Sequence, residues 1–527
     1  MFLPFRYPCC GRGGTVKNWH FISTALLCCA TAISLGGVLG STGRVDAAPA
    51  PAPAPQQSSI LHFVTRNGSQ LLVDGKPFHF AGFNNYYLPT YSPWTQGRTD
   101  DVDVVFQEAQ SLGLKVMRTW AYSDGSSEWN AIQPEYNVLN ETILSQGLDY
   151  VVATAGHYGI RLVLTLTNYL PSYGGAPKWV QWLGGSSITD FWTSPVIRSC
   201  RQALKGYTHS IVQRNNSITG VRYCDDPTIM AWDLVNEPFN LGDDTGKILT
   251  AWVKDMSDYV KSIDPNHLVM VGSWGYFGAS TPALLPENPS DTYAVKFLDI
   301  VLFPADRICH GEDFSAILSL PSIDMASMHI YPEYWSFCTS DCNLHINVQG
   351  LQMMQANLSE QGFLQLCSPA CRLTFLRHWL SLHLQECTRI GKPLVVGEFG
   401  SERPMDIRND FYRVLYEELA KAKTQGLPAA GSLLWMLAAP GHQDYDGYTV
   451  YTDAGNYGHN PQPPHPLPPA VPPCDAAPGT DFYNEKAYWE CASRHIPAPF
   501  NPAVDIWNDG WQTTIDLIKM QASNMSS

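Results

Sequence analysis

The sequence predicts an α/β fold of the (β/α)8 barrel type, carrying long insertions in its βα-loops. Three observations point there. Eight short, β-rich apolar runs are spread along the chain, at 78–87, 116–121, 161–168, 229–237, 267–272, 325–331, 393–400 and 431–437. Several are nearly unbroken in apolar residues, as expected for strands buried on both faces. Between them lie stretches with helical spacing, at 101–112, 146–157, 196–214, 249–263, 375–390 and 407–425. Strands alternating with helices give a parallel sheet, and a count of eight favours a closed barrel over an open one. A last helical pattern at 511–520 is expected to close the barrel.

The flanks read differently. Arg6, Arg12 and Lys17 precede an apolar stretch from 21 to 39, and small residues follow around Ala47 and Ala48. This is the layout of a secretory signal peptide, so residues 1–47 are expected to be a leader. The apolar stretch is also long enough for an uncleaved signal anchor, the competing reading. Residues 48–58 alternate Ala and Pro at first and form a stiff linker. The barrel domain is expected to cover 59–527, with a Pro-rich surface insertion at 451–502.

Composition narrows the function classes. A net charge of −15 repels phosphate backbones, so no nucleic-acid partner is expected. Ten cysteines follow the leader, an even number that permits five bridges and agrees with an exported, extracellular or wall-associated protein. Asn-x-Ser/Thr acceptors at Asn67, Asn140, Asn215, Asn357 and Asn524 fit that compartment. The aromatic surplus suits stacking on sugars but equally suits a core.

Function is concentrated at the strand ends, because the C-terminal ends of barrel strands build the active-site face. The second run ends in Arg118-Thr119-Trp120, the third in Asn168 and the fourth in Asn236-Glu237-Pro238. The sixth carries His329 and Tyr331, the seventh ends in Glu398-Phe399-Gly400, and the eighth carries Trp435. A charged group closing a buried strand is costly unless paired or used. For one glutamate alone, an ion pair with Arg118 would explain it as well as function does. Two carboxylates on facing strands point to glycosidic cleavage, which needs an acid at the leaving oxygen and a second carboxylate across the sugar. No His-rich ligand spacing accompanies them, so no metal or other cofactor is expected.

The stretch Asp226 to Pro238, with Trp232-Asp233-Leu234-Val235-Asn236-Glu237-Pro238, resembles the acid/base strand of family 5 glycoside hydrolases, and Val395 to Gly400 resembles their nucleophile strand. Within that family the chain resembles the endo-β-1,4-mannanases of plants and fungi. Phe83-Asn84-Asn85-Tyr86-Tyr87, Met117 to Gly125, Gly174 to Trp182, and Met328-His329-Ile330-Tyr331-Pro332 with Trp335 carry this likeness, which runs from about Phe63 to Tyr448. The resemblance implies Glu237 as general acid/base and Glu398 as nucleophile. Asn236 would hold the sugar 2-hydroxyl. Arg118 and Tyr331 would keep Glu398 ionised, and His329 would hydrogen-bond near Glu237. Trp435 would form the floor at the cleavage point, Asn168 would contact substrate, and Trp120 would shape the cleft wall or simply pack.

The implied substrate partner is a β-mannan, cleaved internally with retention; no stable protein partner is expected. A β-1,4-glucanase or a mannan transglycosylase of the same family is the near alternative, and a non-catalytic carbohydrate-binding barrel a remote one. The chain departs from the pattern at 336–374, at 451–502, and in the loop Gly272 to Phe277, which lacks the acidic residues expected there.

Overall fold

Each of the eight apolar runs forms a strand in the computed structural model, which describes residues 61–91, 99–128, 130–192, 196–240, 245–289, 311–332, 369–401, 405–440, 447–452 and 507–526, with 243, 442 and 444. These strands are β4 (Phe80–Asn84), β5 (Val116–Trp120), β6 (Arg161–Thr165), β7 (Ile229–Asn236), β8 (Leu268–Gly272), β9 (Ala326–Ile330), β10 (Leu394–Phe399) and β11 (Ala429–Leu434). Every residue in them is buried, which accounts for their unbroken apolar character. All neighbours pair parallel, in the order β8-β7-β6-β5-β4-β11-β10-β9. The ends of that order meet at Asp324, just before β9. Its backbone N–H donates to Val269 O (2.9 Å), and its carboxylate accepts from Val269 N–H (2.8 Å). The sheet thus closes into the expected barrel, with Asp324 at the seam.

The helical patterns form as well, at Thr99–Ser111, Asp149–Tyr158, Val196–Val212, Lys247–Ile263, Pro369–Ile390 and Met405–Thr424. The helix Lys247–Ile263 shows why: Leu249, Trp252, Val253, Met256 and Val260 recur at helical spacing and are its buried stripe. The helix Asp149–Tyr158 begins later than its periodicity starts, because Asn140 caps a short turn and Leu144–Leu148 forms a π-helical turn ahead of it. The last helix, Trp507–Ser526, packs against β4 and the helix Met405–Thr424, where Lys423 Nζ donates to Asn524 O (2.7 Å). That is the closing role expected of it.

One element was not legible in the pattern. β1 (Thr65–Asn67), β2 (Gln70–Val73) and β3 (Lys76–Pro77) form a small antiparallel sheet before the barrel. Leu71 from this sheet and Val64 just before it join Phe80, Val116, Val163, Met230, Leu268, Val395 and Leu433 in a core distinct from the larger one under the helices. The small sheet therefore plugs the barrel interior at the end away from the C-terminal strand ends.

The five-bridge reading fails. Cys200, Cys224 and Cys387 are free, buried thiols inside the helical layer, so they act as small apolar core residues. The leader, the linker and most of the two insertions (up to 60, 333–368 and 453–506) lie outside the described residues, as do Trp335, Asn357 and the cysteines at 309, 338, 342, 367, 474 and 491. Asn67 and Asn215 are exposed. Among the described residues, no helix is long and apolar enough to cross a membrane.

Candidate active site

β5, β7, β9 and β10 bring the polar strand ends to one mouth. Arg118, on β5, is fully buried and organises them. Its Nε donates to Asp233 Oδ2 (2.9 Å), one terminal nitrogen to Glu398 Oε1 (2.6 Å) and the other to Asn236 Oδ1 (2.6 Å). Asn84 Oδ1 accepts a further bond at 3.2 Å. Burial works against the guanidinium charge, but Asp233 and Glu398 outweigh it and raise the Arg118 pKa. A permanent cation is thus fixed beside Glu398.

Glu398 also accepts from the Tyr331 hydroxyl, at 2.9 Å. Burial pushes its carboxyl above the ordinary range; the Arg118 charge and the two donated hydrogen bonds pull the other way. Both partners are donors, so the arrangement is satisfied by the carboxylate. Its position depends on an irregularity in β10. Pairing with β9 runs Val396 to Met328 and then Glu398 to His329, so Gly397 is the extra residue of a bulge. Bulges re-aim the next side chain. A Cβ there would lie 2.1 Å from Ser327 Oγ, so a larger residue would force that side chain to move.

Glu237 follows β7 with φ of 47°, a left-handed conformation that is uncommon outside glycine. Its N–H donates to Gly272 O (2.7 Å), which turns the side chain into the mouth. Its Oε1 lies 2.7 Å from His329 Nδ1. Burial first, and the Arg118 charge second, push the His329 pKa well below its ordinary value, so the ring is neutral. His329 Nδ1 also lies 3.5 Å from Glu398 Oε2. A carboxylate oxygen of Glu237 and one of Glu398 lie within 4.8 Å of one another and of a ring nitrogen of His329. As donors these three residues could meet a cation, but Glu398 is already neutralised by Arg118, which fits proton transfer and nucleophilic chemistry better.

The remaining expected residues gather around this centre. Asn168 Oδ1 accepts from Asn236 Nδ2 (3.2 Å) and Leu170 N–H (3.0 Å), so Asn168 holds Asn236 in place. Asn236 keeps one amide hydrogen for a ligand. Trp435 is half-buried and stacks with Tyr86, with ring centroids 5.6 Å apart and planes 13° apart. Trp120 is buried and packs against Tyr86 (5.1 Å) and Tyr173 (5.2 Å), so it backs this aromatic wall.

Three contributors were not assigned from sequence. Asp233 anchors Arg118, also accepting from Thr165 Oγ1 (3.0 Å) and Gly272 N–H (2.6 Å). A charge in the middle of an apolar strand was the available signal. Asn84 reaches both Arg118 and Gly397 O (3.0 Å). Glu312 supplies the acid missing from the loop after β8: it bonds Ser273 Oγ, and accepts from the N–H groups of Gly275 and Tyr276 (3.3 Å each). Burial pushes its carboxyl up to about 8, opposed by those bonds.

Two carboxylates at this spacing in one barrel mouth, one cation-paired and one beside a neutral histidine, are the pair that glycoside hydrolases use. A family model described as GH family 5 beta-mannosidase-like matches residues 61–293. The chain is 34% identical over 409 residues to mannan endo-1,4-beta-mannosidase 2 of Oryza sativa subsp. japonica, covering 75% of this chain and 81% of that one. It is 35% identical over 400 residues to mannan endo-1,4-beta-mannosidase 5 of Solanum lycopersicum, covering 74% and 84%. The crystal structure of the endo-1,4-beta-mannanase from Rhizomucor miehei is similar in fold, with a TM-score of 0.57 at 29% identity, covering 74% of this chain and 95% of that one. The chain belongs to glycoside hydrolase family 5, among its mannan endo-1,4-beta-mannosidases.

Proposed function

We infer that this enzyme hydrolyses internal β-1,4-mannosidic bonds of mannan, glucomannan or galactomannan with retention of configuration. The observation that carries the mechanism is the approach of the Glu237 and Glu398 oxygens within 4.8 Å. Retaining glycosidases hold their carboxyl groups roughly 5–5.5 Å apart, while inverting ones leave room for a water between them. The substrate rests on the kinship with enzymes named for mannan.

In this reading Glu398 is the nucleophile. Arg118 and Tyr331 stabilise its charge and leave it aimed at the anomeric carbon. Glu237 protonates the departing oxygen, giving a glycosyl-enzyme ester on Glu398. Ester formation removes a negative charge from the site. Glu237 then takes a proton from water, which attacks the ester and releases the sugar. Asn236 donates to the sugar 2-hydroxyl, a contact that strengthens in the transition state. Trp435 lies under the ring at the cleavage point, with Tyr86 and Trp120 continuing the wall.

The two carboxylates separate by leaving group. Glu237→Ala is expected to release dinitrophenolate in a rapid first turnover from a dinitrophenyl β-mannoside, whose leaving group needs no proton, and then to stall at the ester for want of its base, while losing mannan hydrolysis by about 100-fold or more. Glu398→Ala is expected to lose both. Equal losses on both substrates for both variants contradict the division of roles. Purified enzyme offered mannan, glucomannan and cellulose tests the substrate, and cleavage of cellulose as fast as mannan contradicts it. We also infer export, with 1–47 as the leader and 48–58 as the linker; an N-terminus retained at Met1 in the mature protein contradicts cleavage of that leader.

A further inference from the structure

His329 has two ring nitrogens, and only one is accounted for. Nδ1 meets Glu237, while Nε2 is buried with no hydrogen-bond partner among the described residues. Ser327 Oγ, two residues earlier on β9, is likewise buried and without a partner. Residues two apart on a strand face the same side. Both atoms border one spot, the point where a Cβ on Gly397 would sit, at 2.1 Å for Ser327 Oγ and 3.3 Å for His329 Nε2. Buried polar groups of this kind are paired in folded proteins, directly or through water.

The tautomer matters to the reaction, an argument that rests on Glu237 being the acid/base. With the ring proton on Nδ1, His329 donates to Glu237 Oε1. The catalytic proton then sits on the other carboxyl oxygen, free to reach the leaving group. With the ring proton on Nε2, the Nδ1 lone pair faces Oε1 and draws the catalytic proton to the wrong oxygen. Because the ring is neutral, one of these two states must be chosen. A hydroxyl can donate or accept, so the carboxylates set the direction: Nδ1 lies 2.7 Å from Glu237 Oε1 and 3.5 Å from Glu398 Oε2, which favours a proton there, and Nε2 is then a bare buried acceptor that a donor stabilises.

We propose that Ser327 is a positioning residue that supports the Nδ1-protonated tautomer of His329. Its hydroxyl donates to a bridging water in the gap beside Gly397, and that water donates to Nε2, so the ring proton stays on Nδ1 and points at Glu237. The Gly397 bulge thereby serves two ends, aiming Glu398 and leaving the space in which Ser327 and His329 meet.

The test is the nitrogen spectrum of 15N-histidine-labelled full-length enzyme, with His329 assigned by comparison with His329→Gln. Wild type and Ser327→Thr, which keeps the hydroxyl, are expected to show Nδ1 protonated and Nε2 bare. Ser327→Ala is expected to show a shift of the ring proton toward Nε2. Its kcat on mannooligosaccharide should fall about tenfold with KM little changed, while turnover of the dinitrophenyl mannoside should be nearly untouched. A Ser327→Ala ring that stays fully protonated at Nδ1 overturns the proposal, whatever its activity. Failure of the acid/base reading looks different: Glu237→Ala would then show no rapid first-turnover release of dinitrophenolate.

Discussion

Replacing Tyr331 by Phe removes one atom from the site and should move the pH profile by a definite amount. The hydroxyl donates to Glu398 Oε2 at 2.9 Å, and the ring packs edge-on against Tyr448 at 5.4 Å, a contact that Phe retains. The protein should therefore fold. A hydrogen bond to a charged group contributes about 1.5–3 kcal/mol. It favours the ionised form of Glu398, so losing it raises that pKa, by about one to two units at roughly 1.36 kcal/mol per unit. Arg118 still holds Oε1 at 2.6 Å, which places the change at the lower end, near one unit. Because only the ionised carboxylate attacks, the acid limb of kcat/KM should move to higher pH by that amount. The assay is kcat/KM against pH on a soluble mannooligosaccharide, which reports ionisations of the free enzyme. An acid limb that stays in place, or moves to lower pH, refutes the reasoning.

Other perturbations have equally direct outcomes. Arg118→Met should leave Asp233 and Glu398 buried without their cation; a loss of about 3–5 kcal/mol is expected, read as a large drop in melting temperature. Gly397→Ala should cost about 1–3 kcal/mol, because its Cβ would lie 2.1 Å from Ser327 Oγ; a melting temperature equal to wild type contradicts the packing. Glu312 carries a folded-state pKa of about 8 against an ordinary 4.5. A raised acid pKa stabilises the protein below the unfolded value and loses that contribution as pH rises toward the folded one. Urea unfolding should therefore show stability falling from pH 5 to pH 8 in wild type, and falling less in Glu312→Gln.

Much of this was readable in the residues because periodicity and polarity act locally. The strands stood out since both faces are buried, and Glu237, His329, Tyr331 and Glu398 stood out as polar groups where apolar ones were due. What escaped depends on pairing across the barrel. The Gly397 bulge exists only relative to Met328 on the neighbouring strand, and Ser327 acquires meaning only beside it. Asp233 was visible as a buried charge, but its partner Arg118 lies 115 residues away. Glu312 stands 39 residues beyond Ser273, so the apparently acid-free loop is served from elsewhere. The opening sheet, with strands of only two to four residues, is too short for alternation to register.

The seam between β8 and β9 has a consequence for the chemistry. Glu237 follows β7 and Glu398 lies on β10, so the two glutamates stand on opposite lips of the seam. Along the short way round, no continuous ladder of strand bonds spans them; Asp324 stitches the lips at the far end, steadied by Lys261 at 2.6 Å. At the mouth the lips are joined instead by side chains, His329 to Glu237 at 2.7 Å and Arg118 to both Glu398 and Asn236 at 2.6 Å. The same side chains that tune the two carboxylates therefore also button the barrel across its seam, so the chemistry and the closure of the mouth share their fastenings.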